Sequence, residues 1–141
     1  MTEVSDMRAS ILRLLAGCFL IAAVGCSLSM EDKIAREQVL KQNVDSFVNS
    51  VVQGNWNDVI VQSVGDFDSV DSLKKHLMKS WVQDATLIGG QIASLAWVND
   101  STAKVKLNWS FQSGSVQSFS SETFIWVWKS GTWKYQGRSL R

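Results

Sequence analysis

The stretch FIWVWKSGTWKY, residues 124–135, decides the fold. Strand side chains alternate between faces, so Phe124, Trp126 and Trp128 share one face while Ile125 and Val127 share the other. Apolar residues on both faces mark a central strand rather than an edge. Ser130-Gly131 reads as a two-residue hairpin turn. Trp133 and Tyr135 then lie on a common face of the returning strand, residues 132–137. Upstream, residues 104–111 alternate cleanly: Val105, Leu107, Trp109 and Phe111 point one way, and Lys104, Lys106, Asn108 and Ser110 the other. Another strand, residues 91–98, enters through the turn Asn99-Asp100-Ser101, and Gln112-Ser113-Gly114-Ser115 turns the chain toward the strand at 119–129.

Before residue 85 the apolar period is helical. Ile34, Leu40, Val44, Phe47, Val48 and Val51 recur on one face of a helix over residues 31–53, with Glu31 and Asp32 at its positive end and Gly54 as its stop. Residues 55–61 read as a short helix, or as a helix followed by a strand. A further helix covers residues 70–81, where Val70, Leu73, Leu77 and Trp81 form the apolar stripe and Lys74, Lys75 and Lys79 stay in water. Helices followed by a four-strand antiparallel meander give an α+β domain with its helices on one face of a twisted sheet.

The whole chain has 141 residues, 45% hydrophobic and 19% charged, which is one globular domain's worth. A net charge of +1 supplies no field for nucleic acid, so no nucleic-acid partner is expected. Both cysteines, Cys18 and Cys26, precede the domain, so no disulfide framework or metal cage is expected within it.

Residues 14–24 (LLAGCFLIAAV) are an unbroken apolar run behind Arg8 and Arg13. As a helix this run spans about 17 Å, against a hydrocarbon thickness of roughly 30 Å. Its dimensions fit a signal peptide over residues 1–25 rather than a membrane span. Glu3 and Asp6 offset the two arginines, and initiation at Met7 removes both acids. Ala23-Val24-Gly25-Cys26 resembles the lipobox of bacterial lipoproteins, although Ala23 stands where that motif usually has leucine; Leu15-Ala16-Gly17-Cys18 matches the motif more closely, but Arg13 leaves too short an apolar run before Cys18, so hydrophobic length favours Cys26. The resemblance implies lipid attachment at Cys26, a short tether over residues 26–30, and a domain at 31–141 held to the membrane by its anchor. Ser27 after the cysteine implies the outer membrane, with the domain facing the periplasm.

The order of elements, the break Gly54-Asn55-Trp56 and the closing hairpin at 124–135 resemble the nuclear transport factor 2-like superfamily, the cystatin-like α+β cones. Asn55 replaces the acid usual after that glycine. The resemblance implies a sheet curled around an apolar pocket, in a superfamily that includes ketosteroid isomerase, scytalone dehydratase, polyketide cyclases and many noncatalytic binders. Fold alone does not choose among these. It also implies frequent dimerisation through the exposed sheet face.

An enzyme on such a scaffold needs a proton-transferring group inside the pocket. Four residues are candidates. Asp66 and Asp68 flank Phe67, and their alternative role is turn and helix-cap chemistry. His76, the only histidine, lies one position off the stripe of Leu73 and Leu77, which predicts a place at the edge of the apolar face or on the surface rather than a general base. Glu122 shares strand parity with Phe124 and Trp126 but lies toward the serine-rich end of the strand, where solvation is expected. No metal-ligand spacing, nucleophile elbow or phosphate loop is present, and no cofactor is expected. The seven tryptophans are chiefly core, with Trp109, Phe111, Trp126 and Trp128 the candidates to line a pocket. Together these readings favour an envelope lipoprotein with a noncatalytic domain for an apolar small ligand or a protein. The alternatives are an isomerase or dehydratase-like enzyme and a homodimeric structural subunit.

Overall fold

The computed structural model describes residues 28–65 and 67–138. The expected signal segment, Cys18, Cys26 and Asp66 lie outside the described residues. Three helices, α1 (Met30–Gln53), α2 (Trp56–Val61) and α3 (Val70–Met78), precede four strands, β1 (Thr86–Asn99), β2 (Thr102–Ser113), β3 (Val116–Lys129) and β4 (Thr132–Arg138). The strands form one curved, unclosed antiparallel sheet in the order β1-β2-β3-β4. This is the α+β architecture expected from the change of period. No helix among the described residues is long and apolar enough to cross a membrane.

The inward face of the sheet and one face of α1 make the core. Leu40, Val44, Phe47, Val48 and Val51 of α1 are buried together with Val105, Leu107, Trp109 and Phe111 of β2, Phe124 and Trp126 of β3, and Trp133 and Tyr135 of β4. Burying each such side chain stabilises the fold by roughly 1.5–3 kcal/mol. Ile34, read onto the same stripe, is instead 51% exposed, because the first turns of α1 precede Leu40, its first fully buried residue. Asn43 pins α1 to β4: its Oδ1 accepts from the Trp133 amide at 3.0 Å and from Thr132 Oγ1 at 3.1 Å. Trp133 Nε1 donates to the Arg36 carbonyl at 2.9 Å.

The two edges of the sheet are each closed to further pairing. Along β1 the register slips three times, leaving Ile88, Ala93 and Val98 as extra residues. Bulges of this kind bend an edge away from other strands. On the opposite edge the Tyr135 amide donates to Gln62 O and Val64 N donates to Tyr135 O, both at 2.8 Å, so residues 62–64 cover β4.

Several boundaries differ from those expected. The third helix stops at Met78, three residues early, and Trp81 packs from the loop beyond it. Strand β1 begins at Thr86 rather than 91, because Gly89-Gly90 and the bulges hide its alternation. Residues 56–61 are helical, and the strand-like element nearby is the bridge at Ser63. The β3–β4 turn has φ of +53° at Ser130 and +79° at Gly131, the left-handed pair that suits a twisted hairpin.

Candidate functional site

Along β3 the inward face changes character. Phe124, Trp126 and Trp128 give way to Glu122, Ser120 and Ser118, which pair across the ladder with Leu107, Trp109 and Phe111 of β2. The loop after α3 docks on this polar half. Ser80 Oγ donates to Glu122 Oε2 at 2.6 Å, and Ser120 Oγ donates to the Ser80 carbonyl at 3.3 Å.

A bulge in β4 supplies the countercharge. Ile125 pairs with Gly137 and Trp126 with Tyr135, so Gln136 is the extra residue and Gly137 takes φ of +134°. That conformation is open chiefly to glycine. The bulge brings Arg138 opposite Phe124, on the inward face beside Glu122. Arg138 Nε lies 2.5 Å from Glu122 Oε1, and its Nη2 donates to Ser80 Oγ at 3.2 Å. The two side chains are 15% and 25% exposed, so the pair is largely buried.

Tyr135 sits beside this pair, fully buried, with ring centroids of Phe47 at 4.8 Å, Phe124 at 5.4 Å, Trp126 at 5.8 Å and Phe67 at 5.9 Å. Desolvation drives its phenol far above the ordinary value of 10.0; Arg138 opposes the shift and Glu122 adds to it. His76 of α3 leans onto the same cluster, 5.1 Å from Phe67 and 6.3 Å from Tyr135 between ring centroids. Burial lowers its pKa below 6.5, Arg138 and Lys79 lower it further, and Glu122 works against them. The imidazole is therefore neutral at pH 7, and its Nε2 is buried without a hydrogen-bond partner.

Two of the four acid–base candidates, His76 and Glu122, are thus brought to one place. Asp68 is exposed ahead of α3, where the cap is made by Ser69, whose side chain accepts from the Ser72 amide. Asp66 lies outside the described residues. Sequence reading missed Arg138 and Tyr135, both members of this cluster. A glycine interrupting the parity of β4 was the available signal.

Trp109, Phe111 and Trp126 are fully buried, with zero accessible surface, so no water-sized space adjoins them. Trp109 and Phe111 contact Trp81 at 6.0 and 5.8 Å, and Trp126 contacts Phe47 at 5.2 Å. Trp128 is half-buried, with the Arg36 guanidinium 4.5 Å from its ring centroid and Trp133 at 5.4 Å. An open cleft of about 340 Å³ lies at the surface by Gly54, Asn55, Trp56, Asn57 and Asp58, with Asp58 its sole charged lining residue. Among the described residues no group of three or more His, Cys, Asp or Glu side chains could hold a metal ion.

No protein-family model matches the chain, and no curated protein matches it as a relative.

Proposed function

We propose that this chain is an envelope lipoprotein, anchored through Cys26 at the outer membrane, whose α+β domain is a noncatalytic cone that binds a partner through its surface. The observation that carries the reading is the occupied interior. Trp109, Phe111, Trp126 and Tyr135, on the inward face of the sheet, have no accessible surface. Among the described residues the one acid on the strands, Glu122, is engaged by Arg138 and Ser80. Proton transfer needs a free group within reach of a bound substrate. The helices on a curved, unclosed sheet support placement among the cone folds.

Native mass spectrometry of the full chain drawn from its own envelope tests this. A stoichiometric protein complex without a retained small molecule is the expected result, and a tightly held small molecule overturns it. Labelled palmitate should enter the wild-type chain and not the Cys26→Ser chain.

A second reading, an isomerase or dehydratase-like enzyme, is favoured by one observation: the buried Nε2 of His76 has no hydrogen-bond partner. In that reading His76 is the base, Tyr135 is a hydrogen-bond donor, and the aromatic interior parts to admit substrate. Turnover lost in His76→Gln with an unchanged melting temperature would establish it.

A further inference from the structure

The outward face of the sheet is charged with one sign. Lys104 and Lys106 stand exposed on β2, the second strand of the four. Directly across the ladder, Lys104 is flanked by Ala96 and Ile125, and Lys106 by Ser94 and Thr123. Val127 continues the apolar strip on β3, between Thr102 and Lys134. Among the described residues no acid belongs to this face, because the one acid in the four strands, Glu122, points inward to Arg138. Neither Lys104 nor Lys106 makes an ion pair among the described residues. Successive residues on one strand face are about 6.6 Å apart, so the two lysines rise from neighbouring positions on that face.

We propose that this face, centred on Lys104 and Lys106 with Ile125 and Val127 beside them, docks an acidic protein surface; the proposal rests on the noncatalytic binding reading. Two free cations beside an aliphatic strip match an interface with an apolar centre and a polar rim, and they require carboxylates opposite. A two-fold homodimer through this face would set Lys104 and Lys106 against their own copies, and like charges brought together disfavour that pairing. Anionic membrane surfaces are recognised by clusters of about 4–8 basic residues. With Lys129 and Lys134 the face reaches only the lower end of that range, and its apolar strip of Ala96, Ile125 and Val127 suits a protein interface rather than a headgroup layer. Strand addition is blocked at β1 by its bulges and at β4 by residues 62–64.

The test uses the purified full chain and a fluorescent peptide of alternating glutamate and valine, followed by anisotropy. Binding that weakens as salt rises is expected, with no binding of the lysine–valine counterpart. Lys104→Glu/Lys106→Glu should weaken the glutamate peptide by about tenfold or more. It should leave the melting temperature unchanged, since both side chains are exposed. Equal binding by the double variant overturns the docking face and leaves the binding-domain reading standing. Binding to phosphatidylglycerol vesicles and not to the peptide overturns it in favour of a membrane surface. A homodimer in sedimentation that Ile125→Asp dissociates overturns it in favour of self-association. Turnover of a substrate that Lys104→Glu/Lys106→Glu leaves untouched would overturn the reading beneath it instead.

Discussion

His76 shows how the immediate surroundings of one side chain change what its sequence position suggests. The helical period places it at a boundary, and the structure lays its ring on Phe67 and Tyr135 with Nε2 buried. The folded state therefore binds a proton at His76 less readily than the unfolded chain does. Above the ordinary value of 6.5 this difference costs nothing; as the pH falls below it, the unfolded chain takes up protons first and stability declines. Urea unfolding between about pH 7.5 and about pH 5.5 should show a steeper loss of stability for the wild-type chain than for His76→Gln. An equal slope in both would remove His76 from the account. The inward position of Glu122 was legible from strand parity alone. Its partner was not, because Arg138 reaches that face only through the extra residue Gln136, and a single insertion reverses parity.

Among the elements, legibility followed regularity. Strand β2 alternates without interruption and was read with its correct faces, and the Ser130-Gly131 turn was read from two residues. Strand β1 was truncated in the reading because three bulges and Gly89-Gly90 break the period that marks a strand. The end of α3 was overestimated because Trp81 continues the apolar stripe in register although it follows the helix. Ser130 is the weak point of the hairpin, since it holds φ of +53° where asparagine is better tolerated. Ser130→Asn should stabilise the domain by about 0.5 kcal/mol, read as a raised urea midpoint. A lowered midpoint would mean that the Ser130 side chain has a role its backbone conformation does not reveal.

For the whole molecule, the tryptophans turn from a functional clue into a packing solution. Trp109, Trp126 and Trp133 are buried, and rings in contact run from Trp81 through Trp109 and Phe124 to Tyr135. Small domains bury little area per residue, and large aromatics offset that shortage. Trp109→Ala should cost about 3–5 kcal/mol, a large share of a typical total of about 5–15 kcal/mol. Added indole should restore part of the loss by filling the cavity, seen as a recovered urea midpoint. No effect of the substitution would show that the interior is looser than its zero accessibility implies. Sequence reading found the α+β class because period and order are local properties. It could not tell a lined pocket from a filled one, since that depends on how α1 and the sheet close together.

The pairing of β4 with residues 62–64, and the fastening of Thr132 and Trp133 to Asn43, also bear on how the chain matures. Every other strand partner is a neighbour in sequence, so the first three strands can assemble as each hairpin appears. The hydrogen bonds made by Asn43 and by residues 62–64 wait for β4. A chain emerging amino end first therefore stays short of its native state until that strand appears. With no proline, its final closure has no slow prolyl isomerisation to await.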